Sequence, residues 1–455
     1  MGSPSDRPAP ITLDRRTRRL RDGLIVGGDP PRVLRLSARG DALVGALLDG
    51  RARGPAAGLL STRLVDDGVA HPQRPCADEA LPVTVVVPVR DDADGLDACL
   101  RALHGGDVIV VDDGSRDPAA VAAIAAEHGA QVVWHTISRG PGGARNTGAA
   151  QVRTPLVAFV DADVRVSLDA LRTLAHWFAD PRVTAVAPRV RPLPAAPTAL
   201  HRFLVARSPL DLGPDPAAVR PQGRVSYVPS AVLLCRRSAL AAGFDEDLRY
   251  GEDVDLIWRL IDDGGLVRYD PDVVAHHREP RTWRAALTRR HRYGTSAGAL
   301  ARRHGPRLAP AVTSPLPALA AVLLLLRRPR PAAVVAGAAI GLVARRLTRA
   351  GLQPADAFAV AAPAVGGSLL ALGRTATQLA APAVLSTGPV RAAALLAAAP
   401  LAERRRRRPD LDAVRWTAGC IADDVAYGLG VWRGALRSRA WAAVVPQIRT
   451  SSLKA

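Results

Sequence analysis

Lysine is almost absent from this 455-residue chain: of 61 basic residues, all but Lys454 are arginine. Aromatic residues are scarce too, at 4%. With so few rings to stack on bases, the formal net charge of +19 does not point to nucleic acid as a partner. Phosphate-bearing substrates and anionic membrane surfaces suit the same surplus. Cysteine is confined to Cys76, Cys99, Cys235 and Cys420, without metal-like spacing, so free thiols in a reducing compartment are expected. The segment Met1 to Arg21 has no apolar signal core, so the first part of the chain is expected in the cytoplasm. There is no Gly-Lys-Ser/Thr phosphate loop, and no G-x-G-x-x-G comes after the first strand, which excludes a P-loop and a dinucleotide fingerprint.

What is present is alternation. Val83–Val89, Val108–Val111, Gln131–Trp134 and Leu156–Val160 read as short buried strands. Helical stretches at Ala93–Leu103, Ala119–His128 and about 140–151 separate them. This order predicts an α/β fold with a mainly parallel sheet and right-handed crossovers, over residues 82–305. Beyond them lie a helix capped by Ser167, a strand at Val183–Val190, an irregular stretch at 191–224 and a strand-like Tyr227–Cys235. Next come an acidic helix start at Gly251, a strand at Val273–His277 and a basic helix from Trp283 to His304. Ahead of the α/β region, residues 1–30 read as a loose lead-in, 31–75 as a small module of one strand and two helices, and 72–82 as a linker.

Residues 306–455 are apolar and predicted helical. Leu308–Leu326, Pro331–Ala344, Ala357–Gly373 and Thr375–Val390 are rich in Ala, Gly and Pro. Arginines flank the first pair on both sides, so charge gives no clean topology. Bilayer spans, hairpins lying at the inner leaflet and a buried helical domain all fit. Arg404–Arg408 reads as a solvated surface or a contact with anionic lipid.

The chemistry-bearing residues gather at strand ends: Pro88 and Arg90, Asp112 and Asp113, Asp161 and Asp163. In an open parallel sheet those ends share one edge, where ligands bind. Asp161 and Asp163 read either as a polar strand end before a helix cap or as carboxylates for one hard cation, Mg²⁺ or Mn²⁺. The neighbours favour the cation. The helix opening at Gly142-Gly143 offers N–H groups and dipole to a phosphate, and Arg145 offers a guanidinium fork.

These stretches carry a resemblance. Val83–Val89, Val110–Ser115, Gly142–Asn146, Asp161–Asp163 and Gly251–Leu256 stand in the order found in family 2 glycosyltransferases. The resemblance implies a GT-A (Rossmann-like) core acting on a nucleotide sugar with a divalent metal. It implies Asp112 as the contact to uracil, Asp161 on the ribose, Asp163 on the metal, and Asp253 of the Glu252-Asp253 pair as general base. His276 would be a metal or phosphate contact, with His277 an equal candidate. Arg289-x-x-Arg292-Tyr293 resembles the Q/R-x-x-R-W signature of chain-extending members, with Tyr in place of Trp.

Ser208–Gly213, Val219–Pro221, Ser226–Ala231, Tyr293–Ala297 and Asp424–Gly428 resemble more narrowly the branch of that family serving mycofactocin biosynthesis. That resemblance implies an inverting transfer of glucose from UDP-glucose to a mycofactocin-type acceptor, building a β-1,4-linked oligosaccharide. The strand–helix–helix pattern at 31–75 resembles a peptide-reading PqqD-like module, and the apolar stretches after 306 lead us to expect a location on the inner face of the cytoplasmic membrane. A transferase of cell-envelope polysaccharide or glycolipid synthesis is the alternative enzyme. A non-catalytic nucleotide-sugar-binding scaffold is the alternative outside enzymes.

Overall fold

The computed structural model describes residues 9–75 and 81–450. Two compact units emerge. The first holds Leu64–Ala196 and Arg207–Glu279 along with the chain up to Thr12. The second holds Leu13–Arg63, Pro197–Ala206 and the chain from Pro280.

The first unit is built on a nine-stranded sheet. In chain order its strands and helices are β1 (Val83–Val89), α1 (Ala93–Ala102), β2 (Asp107–Asp112), α2 (Pro118–Glu127), β3 (Gln131–Trp134), α3 (Gly140–Gln151) and β4 (Leu156–Val160). Then come β5 (Val164–Arg165), α4 (Leu168–Ala175), β6 (Val183–Pro192), β7 (Ala217–Ala218), β8 (Val232–Arg236), α5 (Glu252–Asp262) and β9 (Leu266–His277). The spatial order is β5-β9-β6-β8-β4-β1-β2-β3, with β7 also on β9. β3, β2, β1 and β4 run parallel, and β6 runs parallel to β9. β8 is antiparallel to both β4 and β6 and joins the two parallel groups. This is a GT-A-like α/β fold.

The reason for the parallel half lies in the side chains. All five residues of β4 are buried, as the apolar run requires for a strand covered on both faces. Helix α3 packs close on the sheet because Gly148 has no side chain; a Cβ there would come 2.3 Å from Val86 Cγ1. Asp92, Asp117 and Ser167 cap α1, α2 and α4 by accepting backbone N–H groups.

The second unit is mainly helical: Trp283–His304, Pro315–Leu325, Pro329–Arg349, Pro354–Leu379, Pro389–Arg407 and Ala413–Ser438. Pro329–Arg349 and Pro354–Leu379 are long and apolar enough to cross a membrane, and 17% of each span's apolar window is buried. Val334 and Phe358 on them are 72% and 58% exposed. The apolar stretch Thr375–Val390 is not one helix: the chain breaks at Ala380 and again at Gly388, whose φ of 98° is incompatible with helix.

Several boundaries differ from the sequence expectation. The stretch 1–30 is not a loose lead-in throughout, since strands occupy Ile11–Leu13, Arg18–Arg19 and Leu24–Gly27. Leu24–Gly27 is the middle of a three-stranded antiparallel sheet with Arg18–Arg19 and Arg32–Arg35. Its Val26 packs with Leu347, Leu352, Ala357 and Ala361. The small module therefore has three strands in this sheet before its two helices, Ala38–Leu48 and Pro55–Asp66. The α/β unit closes at Glu279, not at 305, because helix Trp283–His304 packs with the C-terminal helices. Cys99, Cys235 and Cys420 are buried and form no disulfide among the described residues, and Cys76 lies outside them.

Candidate active site

The edge formed by the C-terminal ends of β1, β2 and β4 carries a buried ion cluster. Arg145 on α3 is 3% exposed. One guanidinium nitrogen donates to Asp161 Oδ1 at 2.6 Å and another to Glu252 Oε1 at 2.9 Å. The guanidinium also lies 5.4 Å from the centroid of the Phe244 ring. Asn146 brings Phe244 there by a reciprocal pair: its Nδ2 donates to the Phe244 carbonyl at 2.9 Å, and its Oδ1 accepts the Phe244 N–H at 2.7 Å. The Gly-Gly-Ala-Arg-Asn stretch thus links β4, the loop at 244 and the start of α5.

Arg145 is accordingly an internal strut. The expectation of a fork open to phosphate oxygens is corrected: its side chain is 4% exposed, while Asp161 and Asp163 keep 30% and 33% open. Those two carboxylates can reach a ligand and the guanidinium cannot. Burial pushes the Asp161 carboxyl up; Arg145 pulls it down, and the like charge of Asp163 pushes it up again.

Asp253 and Glu252 start α5 after Gly251, which takes φ 82° to turn the chain into the helix. Glu252 is buried against Arg145, whereas Asp253 is half-buried. Asp253 Oδ2 accepts the Ser230 N–H at 3.4 Å, and its Oδ1 accepts the Val254 N–H at 2.8 Å. Burial pushes the Asp253 carboxyl above the ordinary aspartate range. Burial, and then the Asp253 charge, push Glu252 up to about 7 against the pull of Arg145. Of the pair, Asp253 is the more open carboxylate, and Glu252 is tied to Arg145.

Asp112 and Asp113 also divide. Asp112, at the end of β2, is 1% exposed and accepts the Ser115 N–H at 2.9 Å. Asp113 accepts from Ser138 Oγ at 2.6 Å and from the N–H groups of Arg139 at 2.7 Å and Gly140 at 2.9 Å, and its Oδ1 lies 2.8 Å from His135 Nδ1. Burial would raise its carboxyl, and these contacts together hold it below its usual range. Asp113 fastens the start of α3 with both carboxylate oxygens already engaged, which corrects its reading as a nucleotide contact. Pro88 is half-buried inside β1, and Arg90 is exposed and donates to Ser138 Oγ at 3.0 Å.

The histidine beside Asp163 is His277, not His276. Val164 pairs with His277 and Arg165 with His276, so alternate side chains of β9 face opposite ways. His277 Nε2 lies 3.2 Å from Asp163 Oδ2, and its Nδ1 is 3.8 Å from Glu279 Oε1. Glu279 in turn accepts from Ser208 Oγ at 2.7 Å. His276 is half-buried, and burial and then Arg191 push its imidazole down. The sequence had no signal for Glu279; the Ser208–Gly213 stretch is explained by it and by Asp211, which receives Arg189 at 2.7 and 2.8 Å. Arg289, Arg292 and Tyr293 belong to the second unit, on helix Trp283–His304.

Among the described residues no three His, Cys, Asp or Glu side chains form a ready metal cage. Two carboxylates that repel one another beside an imidazole still fit a hard divalent cation. Mg²⁺ and Mn²⁺ are commonly held by one or two carboxylates with substrate phosphates completing the shell.

A mainly parallel sheet with Asp112, Asp161 and Asp163 on one edge, and a Glu-Asp pair joined to that edge through Arg145, defines a glycosyltransferase of the GT-A type. The model described as Glycosyl transferase family 2 matches residues 84–239. Over 97% of its length the chain is 38% identical to the Pre-mycofactocin glycosyltransferases of Mycobacterium tuberculosis strains CDC 1551 / Oshkosh and H37Rv, and the match covers 98% of each. The chain belongs to the family 2 glycosyltransferases. The succinoglycan biosynthesis protein ExoO of Rhizobium meliloti is 36% identical over 22% of this chain and 30% of its own. A solved structure of the mannosyltransferase PcManGT from Pyrobaculum calidifontis, in complex with GDP-Man and Mn²⁺, aligns over 79% of this chain and 91% of its own, with TM-score 0.44 and 22% identity.

Proposed function

We propose that this enzyme transfers glucose from UDP-glucose to pre-mycofactocin with inversion, and extends the product as a β-1,4-linked oligosaccharide. The observation that carries this reading is the 38% identity running nearly end to end with the Pre-mycofactocin glycosyltransferases, because the strand-end carboxylates speak to the class and not to the acceptor. Asp112 would meet the uracil and Asp161 the ribose. Asp163 with Asp161 would hold the divalent cation, with His277 beside them. When bound, that cation would stabilise the charge developing on the departing diphosphate. Asp253 would take the proton of the acceptor hydroxyl as it attacks the anomeric carbon, and a single displacement inverts that centre. Arg145 and Glu252 would keep Asp161 and Asp253 in register.

Mass spectrometry of the cofactor pool from a deletion strain tests the acceptor. Loss of hexose additions is expected; an unchanged hexose series rules this acceptor out. Asp163→Ala should weaken UDP binding in the presence of Mn²⁺ and leave the weaker metal-free binding as it was, read by calorimetry. Equal affinity with and without Mn²⁺ in both proteins would remove the metal from the donor site.

The module before residue 75 is read as a grip on the peptide-derived acceptor. Leu59 stands 75% exposed on its second helix, an apolar side chain open to a partner. Leu59→Asp should raise the KM for the acceptor without changing UDP-glucose hydrolysis; an unchanged acceptor KM would take Leu59 out of that grip.

The exposed apolar helices Pro329–Arg349 and Pro354–Leu379 support attachment to the inner face of the cytoplasmic membrane. They also favour a second reading, transfer to a lipid-linked acceptor of the cell envelope. Radiolabel entering the organic-extractable fraction instead of the soluble cofactor would select it.

A further inference from the structure

The tail stretch Asp423-Asp424-Val425-Ala426-Tyr427-Gly428 has no role in the chemistry above, yet both acids are buried, at 7% and 2% exposure. They sit on helix Ala413–Ser438 and face different neighbours. Asp424 Oδ1 accepts from Arg374 Nε and from Gln378 Nε2, each at 2.9 Å, and so holds helix Pro354–Leu379. Asp423 Oδ1 lies 2.8 Å from Arg290 Nε, and the Arg290 guanidinium stands 4.8 Å from the Tyr427 ring centroid. Asp423 therefore holds helix Trp283–His304.

The two helices meet backbone to backbone along the same face. A Cβ on Gly294 would come 2.2 Å from the Tyr427 carbonyl oxygen, and one on Gly298 would come 2.1 Å from that of Gly434. In the other direction, a Cβ on Gly430 would come 2.0 Å from the His291 carbonyl oxygen, and one on Gly434 would come 2.3 Å from that of Thr295. Arg290, Gly294 and Gly298 are spaced four apart and share one stripe. At 100° per residue, Arg289 and Arg292 share another stripe turned roughly 170° from the centre of the first, with Tyr293 between the two. The glycines set the distance between the axes and the ion pair sets rotation and height, because a buried charge has one place to go.

We propose that Asp423 is a positioning residue: through Arg290 it fixes the rotation of helix Trp283–His304 and so aims Arg289, Arg292 and Tyr293 at the growing acceptor. This rests on the reading of those three residues as the chain-extension signature.

The test compares Asp423→Asn with Asp424→Asn in the full-length protein, using UDP-glucose and pre-mycofactocin. Asp423→Asn should raise the acceptor KM on the order of tenfold to a hundredfold and shorten the products, the scale of loss that a misplacement of about 1 Å brings. Its UDP-glucose hydrolysis without acceptor, and its KM for UDP-glucose, should match the parent. Asp424→Asn should lower the melting temperature and leave the acceptor KM alone. An unchanged acceptor KM in Asp423→Asn, or donor hydrolysis falling in step with transfer, overturns the proposal. If Asp423→Asn does not fold, the exchange Arg290→Asp with Asp423→Arg keeps the pair and should restore the acceptor KM; a folded exchange variant with poor acceptor use also overturns it. Arg292→Ala separates the two layers. No effect of Arg292→Ala on product length rejects the chain-extension reading itself, whereas an effect there with none in Asp423→Asn rejects only the positioning role.

Discussion

Replacing Asp253 by Asn should leave UDP-glucose binding intact and lower transfer by roughly 10²- to 10⁴-fold, the usual worth of a positioned base. The amide keeps the shape, and its one oxygen can still accept the Val254 N–H, but it loses the second acceptor that faces the Ser230 N–H and it cannot take a proton. Donor affinity by calorimetry and transfer by product formation give the two halves of the result. Unchanged turnover would remove Asp253 as the base. The pH profile adds a second reading. The base acts only when ionised, and burial raises the Asp253 carboxyl from the ordinary value of 3.8, so the acid limb of kcat/KM should lie above that of an exposed aspartate. The same shift has a cost in stability. Glu252, raised from 4.5 to about 7 by burial and by Asp253, binds more protons folded than unfolded in that window, so the folded state loses stability as pH rises through it. Asp253→Asn removes part of that repulsion, and the inactive variant should melt at a slightly higher temperature at neutral pH.

The second large effect is at Arg145. Arg145→Leu leaves Asp161 and Glu252 facing one another without their shared cation. Breaking a buried pair from one side costs about 3–5 kcal/mol. For a unit of this size that is about 10 °C in melting temperature. Adding Glu252→Gln should recover part of the loss, because the stranded charge is then gone. Arg145→Lys should not recover it, since one ammonium cannot reach two carboxylates with separate nitrogens. A melting temperature within about a degree or two of the parent in Arg145→Leu would show that the cluster is not a strut.

The parallel half of the sheet was legible because its strands are apolar on both faces. Val83–Val89 and Leu156–Val160 need no partner to be recognised, and the carboxylates stand where those runs stop. The strands at Arg18–Arg19 and Leu24–Gly27 were not legible. They are two and four residues long, one is wholly charged, and what makes them strands is pairing with one another and burial of Val26 against helices more than 300 residues away. The choice between His276 and His277 turned on strand parity, which is fixed by the register of β9 on β5 and not by composition. Asp113 and Arg145 were found but given to the ligand, because a sequence shows a charge without showing what it faces. Their partners, His135, Ser138 and Glu252, lie 22, 25 and 107 residues away. The helices after 306 were legible as helices, but Ala, Gly and Pro blur their ends, and Thr375–Val390 broke where Gly388 takes a positive φ.

The most direct measurement is a reaction of the purified full-length enzyme with UDP-glucose, Mn²⁺ and pre-mycofactocin, monitored by mass spectrometry and by NMR of the new linkage. Expected is a ladder of hexose additions with β anomeric configuration, absent when Asp253 is replaced by Asn. No hexose on pre-mycofactocin, or a ladder that persists in Asp253→Asn, would contradict it.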